Sequence, residues 1–296
     1  MGRQTLIALG AVVLASAALV AQQAPAPSGK VEFEAASIKP DRSGSNGQQI
    51  GFQQGGRFVA TNITLKQLVA VAYAAPQPLP PFRIIGGPPW IDTDRYDVNA
   101  KAAADVAPTP AGPSPALFAM LRTLLADRFK LVAHNETREL PVYDLVLSRA
   151  DGKLGAQMKP SAVDCAALSA ARRGGPPPAP PAAGERPPCG LRVSPATMTG
   201  GSVTMAQLVT VLAGRVGRTV VDKTGLTGSF DIDLAWTPDQ IPTGTPPPGA
   251  PPLPPIDPNG PSLFTALQEQ LGLKLDSTKG QVDVVVIDSV EHPTED

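Results

Sequence analysis

The chain repeats itself. GGRFVATNITLKQLVAVAY, RYDVNA, SPALFAMLRTLLADRFKL and PVYDLVLS in the first half return in the same order as TMTGGSVTMAQLVTVLAG, SFDIDL, PSLFTALQEQLGLKL and QVDVVVID in the second. Agreement of order and spacing over four blocks indicates one folding unit used twice, a stronger restriction on architecture than any composition.

Each block has a physical reading. Leu65, Leu68, Val69 and Ala72 stand at i, i+3, i+4 and i+7, and Met205, Leu208, Val209 and Leu212 repeat that spacing, the stripe of an amphipathic helix. Thr64 with Gln67, and Thr204 with Gln207, form capping boxes at the helix starts. Leu117, Met120, Leu121, Leu124 and Leu125 make a second stripe, matched by Leu263, Ala266, Leu267 and Leu271, with Ser114 and Ser262 at the N-caps. Tyr96, Val98 and Ala100 alternate with Asp97 and Asn99, and Phe230, Ile232 and Leu234 with Asp231 and Asp233, as strands with one wet face do. Lys130-Leu131 and Lys274-Leu275 are each followed by a polar stretch and an apolar strand, which predicts a hairpin closing each unit.

The expected fold is therefore α+β: two tandem units, each with two helices packed on a small, mostly antiparallel sheet. The division runs 1–22 signal peptide, 23–30 Pro-rich linker, 31–160 first unit, 161–192 Cys-flanked Pro/Gly-rich loop, and 193–296 second unit with a Pro-rich insertion at 242–261. Much of the proline, 35 residues in all, gathers in these connections and in 108–115, where it reads as loop insertions.

Arg3 and an apolar run from Leu6 to Val20 resemble a secretory signal, since the run is shorter than the roughly 20 residues of a spanning helix; an uncleaved anchor is the alternative. No later stretch is apolar for long enough to span, so a periplasmic or extracellular chain without a transmembrane domain is expected after cleavage. With 25 basic and 26 acidic residues there is no electrostatic basis for a nucleic-acid partner. In an oxidising compartment Cys165 and Cys189, which bracket the loop, are expected to pair; two free thiols are the alternative.

The candidate chemistry is sparse. DKTG at Asp222 looks like a phosphorylated loop, but no second acidic motif accompanies it, and Gly225 and Gly228 mark a turn in which Asp222 bonds local backbone. His134 and Glu136 share a strand face and could begin a metal site, yet a third ligand is missing, the other histidine being His292. Asp92, Asp94 and Asp97 with Arg95 fit neither a calcium loop nor a defined acid and base pair, and read as salt-bridged turn residues. Trp90 and Trp236 can offer flat faces to a ligand, or fill the core of a chain with 4% aromatic residues. Trp90, Asp92, Arg95 and Trp236 are the binding candidates; no catalytic residue, metal or cofactor is assigned.

VEFEAASIKP, GGPPWIDTDRYDVNAKA, LRTLLADRFKLVAHNETRELPVYDLVL and VVDKTGLTGSFDIDLAWTPD, with the blocks above, resemble the soil-associated family of exported proteins, a domain of unknown function expanded in Acidobacteria, over about 31–291. The resemblance implies two cysteines around a variable loop, which supports the Cys165–Cys189 pairing, and transfers no catalytic residue. In some relatives a similar domain follows a membrane metallopeptidase, which implies sensing or interaction. A looser similarity is to the short N-terminal domains of secretins and TonB-dependent receptors, which present sheet edges and helix faces to partners.

The expectation is an exported, non-enzymatic module that binds a protein or cell-envelope component. Two rivals stand beside it: a hydrolase in which Asp92, Asp94 and Asp222 meet across the halves, and a small-ligand sensor with an apolar cleft near Trp90 or Trp236.

Overall fold

The computed structural model describes residues 31–44, 47–74, 79–103, 113–171, 186–239 and 256–293. The signal peptide and linker expected at 1–30, and most of the Pro-rich segments, lie outside the described residues. Among those described, six helices and three four-stranded sheets form a mixed α+β fold.

In the first outer sheet, β1 (Ala35–Pro40), β5 (Arg95–Lys101), β3 (Arg57–Thr64) and β2 (Gln49–Gln53) run antiparallel in that order. Tyr96, Val98 and Ala100 of β5 are buried while Asp97 and Asn99 are not, as the alternation predicts. The buried face meets α1 (Leu65–Ala72) and α3 (Pro115–Phe129), whose Leu65, Leu68, Leu117, Leu121 and Leu125 share one core with Phe58 and Phe129. Gln67 N donates to Thr64 Oγ1, and Thr64 N donates to Gln67 Oε1 at 2.9 Å, so the capping box forms.

The second outer sheet orders β7 (Met158–Pro160), β11 (Ser229–Ala235), β9 (Thr197–Thr204) and β8 (Gly190–Val193), again antiparallel. It packs on α5 (Met205–Val216), capped by Thr204 and Gln207, and on α6 (Leu263–Ala266), which continues as a π turn over Leu267–Leu271. β7, which the division at residue 160 places in the first unit, pairs with β11. The N-caps differ. Ser262 accepts Thr265 N at 3.2 Å, whereas Ser114 adopts the cap backbone but its buried hydroxyl has no partner among the described residues.

Both outer sheets carry a bulge just before the helix. Register shifts between Ala60 and Ile63 and between Phe230 and Ile232 leave Asn62 (φ 56°) and Ser202 (φ 49°) out of the ladder. An unpaired amide there is costly, and an aspartate on the adjacent strand accepts it: Asn62 N to Asp97 Oδ1 at 2.9 Å, Ser202 N to Asp231 Oδ1 at 3.1 Å. The wet-face aspartates thus hold backbone corners.

The third sheet corrects the hairpin expectation. Each polar stretch continues its strand, giving β6 (Val132–Leu147) and β12 (Leu273–Ser289), which pair antiparallel with each other along their length. Three-residue strands complete the order β10-β6-β12-β4, with β10 (Val220–Asp222) parallel to β6 and β4 (Ile84–Gly86) parallel to β12. A polar run between apolar runs looks like a turn only while no partner is in view. Here 132–138 lies opposite 282–289, and Thr137 Oγ1 donates to Asp283 Oδ1 at 2.7 Å. The halves consequently interlock: Val285 and Ile287 of β12 belong to the first core, and Leu145 of β6 to the second.

The Cys165–Cys189 disulfide is formed, linking α4 (Cys165–Ala171) to the start of β8. No helix among the described residues is long and apolar enough to cross a membrane.

Candidate functional site

A cleft of about 720 Å³ opens on the central ribbon where the halves meet. Its walls are Tyr73 and the segment Leu79 to Arg83 from one half, and Val209, Thr210 and Ala213 of α5 with Thr219 and Val220 from the other; Asn135, Thr137, Asp283 and Val285 lie along the strands beneath. Its origin is a length difference. Residues 73–83 connect α1 to β4, while only 217–219 connect α5 to β10. The longer connection carries Phe82 onto the second core, and a 3-10 turn over Pro81–Arg83 sets Arg83 so that its Nε donates to the Asp283 carbonyl at 2.7 Å.

Polar groups around the cleft are held in place. Tyr73 carries Arg122 over its ring at 5.7 Å, and burial pushes its hydroxyl above the ordinary tyrosine value. Arg138 bonds Glu136 at 2.8 Å and keeps that carboxyl below the usual range. His134 bonds Asp288 at 2.8 Å, which raises the imidazole above its ordinary value. The side chains of His134, Glu136 and Asp288 form an ion-pair chain that alternation places on the other face of the ribbon from Asn135 and Thr137, although Glu136 also borders the cleft. Among the described residues no group of three His, Cys, Asp or Glu is arranged to hold a metal.

The residues singled out from the sequence scatter. Trp90, at the start of α2 (Trp90–Thr93), stacks on His292 with centroids 4.1 Å apart, and His292 also pairs with Asp94 at 3.2 Å. Asp92 pairs with Lys66 at 3.0 Å, and Arg95 donates to the Asn62 carbonyl at 3.1 Å. Trp236 is 7% exposed and sits in the second core beneath Arg215. Neither tryptophan lines the cleft. Asp222 accepts Thr224 N at 2.9 Å and Thr224 Oγ1 at 2.7 Å, as a turn residue does. It ends β10, whereas Asp92 and Asp94 follow β4 at the other edge of the sheet, three strand spacings or about 14 Å away. The carboxylates of the hydrolase reading do not converge.

The cleft residues Tyr73, Phe82, Arg83, Thr137 and Asp283 escaped the sequence reading. Its one signal was the extra length at 73–83 when the two similar sequence patterns are laid side by side. A second, more open depression of about 810 Å³ borders the disulfide, but Asp164 beside it is occupied in capping α4 through Ala166 N and Ala167 N.

An interlocked α+β chain with a cleft between its halves matches a known family by sequence. The model of the family described as Protein of unknown function (DUF3738) covers residues 66–290, and the chain belongs to that family. No curated protein and no solved structure matches it.

Proposed function

We propose that the chain is an exported, non-enzymatic binding module, built from a duplicated α+β unit, that holds an extracytoplasmic protein or envelope component in the cleft on the β6–β12 ribbon. The observation that carries the reading is the cleft itself: its volume lies in the range of specific sites, both halves wall it, and its apolar side chains surround a few placed polar groups. Export draws support from the disulfide and from the apolar N-terminal run. The duplication draws support from matching strand orders, bulges and capping boxes.

Thr210→Trp places an indole in the cleft, because Thr210 lines it from the exposed face of α5 and takes no part in the second core. Envelope proteins enriched on the wild-type chain should fall at least about tenfold on the variant, at a melting temperature within a few degrees of wild type. Equal capture by both chains rejects the cleft as the binding site. The cleft volume also suits a small apolar ligand. Stabilisation by a defined compound that Thr210→Trp abolishes would favour that second reading.

A further inference from the structure

We propose that the partner enters as an extended peptide, added as a strand to the open edge of β6 beside the cleft; this rests on the binding reading above. Tyr143 N donates to the Thr219 carbonyl and Lys223 N to the Leu145 carbonyl, so residues 143 and 145 turn their backbone groups away from β12 and toward β10. The β6–β12 register is unbroken from Leu147 back to Ala133. Every odd residue in that span therefore points its N–H and C=O outward.

Only three residues of that edge are paired by β10. At the far end Tyr73 Oη reaches the Ala133 carbonyl at 3.5 Å. Between these ends the outward groups of Asn135, Thr137 and Glu139 have no backbone partner among the described residues. Pro141 fits the same phase: its missing N–H would have pointed to the open edge, so it costs β12 no ladder bond. Bare strand edges are usually blunted, and here Glu139 and Pro141 limit the opening to a few residues.

The occupant follows from continuity and shape. β10 already pairs on this edge, so a guest strand extends an existing ladder rather than creating a new surface. Asn135 and Thr137 line the cleft, which places alternate side chains of such a guest against Tyr73, Val209 and Ala213. The matching chemistry is an extended segment with an apolar residue at every second position and no proline at the paired positions. The outer edge of β12 differs: Arg83 takes the Asp283 carbonyl, and no described cavity adjoins Ser277, Lys279 and Gln281.

The test uses the full chain and a capped heptapeptide of alternating valine and threonine with a lysine at each end, at about 1 mM. Amide exchange at Asn135, Thr137 and Glu139 should slow at least about tenfold on addition. Thr137→Pro removes one outward donor in the phase that Pro141 already occupies, and should abolish the slowing, while Thr137→Val keeps it. The same peptide N-methylated at alternate residues should lose at least about tenfold in affinity, which tests the claim even if Thr137→Pro misfolds. Absence of slowing at those three amides, or equal binding of the N-methylated peptide, overturns strand addition. If that happens while Thr210→Trp still loses its captured partner, the cleft reading stands without the strand; if Thr210→Trp captures as wild type does, the cleft reading fails.

Discussion

The two halves hold matching sheets by different means. In the first, α3 supplies six buried side chains, Leu117, Met120, Leu121, Leu124, Leu125 and Phe129, to a core that needs no cross-link. In the second, α6 and its π turn supply Ala266, Leu267 and Leu271, and that half alone carries the disulfide. Arg186, three residues before Cys189, bridges Asp231 and Asp233 on β11, tying the loop exit to the sheet. The comparison teaches that one strand frame tolerates a thin helical layer when covalent and ionic ties replace apolar burial.

The comparison breaks most completely if the halves are separated. A cut at the exposed turn around Gly152 removes the β6–β12 ladder and takes Val285 and Ile287 from the first core. Neither piece should show near-UV circular dichroism or a cooperative melt alone, and mixing should restore both. A native-like 31–152 fragment would show the halves to be independent domains.

Next in size, Cys165→Ser with Cys189→Ser should cost about 2–4 kcal/mol in denaturant unfolding. Amide protection should fall in β8 and β9 and hold in β2 and β3, since only the second sheet leans on the bond.

The bulge aspartates sharpen the contrast further. Asp97→Ala and Asp231→Ala each strand an amide at about 1–3 kcal/mol, with the larger loss at Asp231, where Arg186 also loses a partner. Burial by itself pushes the Asp231 carboxyl up, but hydrogen bonds from Ser161 and Ser202 and the Arg186 charge outweigh it, so its folded pKa lies below the ordinary value. Its contribution is complete above the unfolded pKa, about 3.9, and is lost as pH falls through the folded value. Acid titration of stability should lose that segment in Asp231→Ala.

The smallest effect belongs to the half-exposed His134. Its hydrogen bond to Asp288, then the Asp288 and Glu136 charges, raise its folded pKa. The contribution is complete below the unfolded value, about 6.5, and disappears as pH rises through the folded one. An NMR titration should place the His134 midpoint above the ordinary histidine value, and Asp288→Asn should bring it down; an unchanged midpoint would reject the pairing.

Much of the local structure was legible in the sequence. The helix stripes, both capping boxes, the alternating strands, the Asp222 turn and the cysteine pairing rest on neighbours within a few residues or on one loop closure. The ribbon was not, because Thr137 meets Asp283 and His134 meets Asp288 across about half the chain, and a polar stretch carries no mark of a distant partner. The partner of Trp90 was hidden for a related reason: its ring stacks on His292 from the far end of the chain. The cleft escaped because it depends on where Tyr73 and the segment Leu79 to Arg83 lie rather than on what they are.

By itself the sequence determined what each segment of about ten residues becomes, since periodicity, capping and turn chemistry act between neighbours. Only the tertiary structure decided which strand lies beside which, because pairing satisfies backbone groups between segments far apart in the chain and leaves no local signature. That choice made two polar stretches into one central ribbon and opened a cleft beside its free edge.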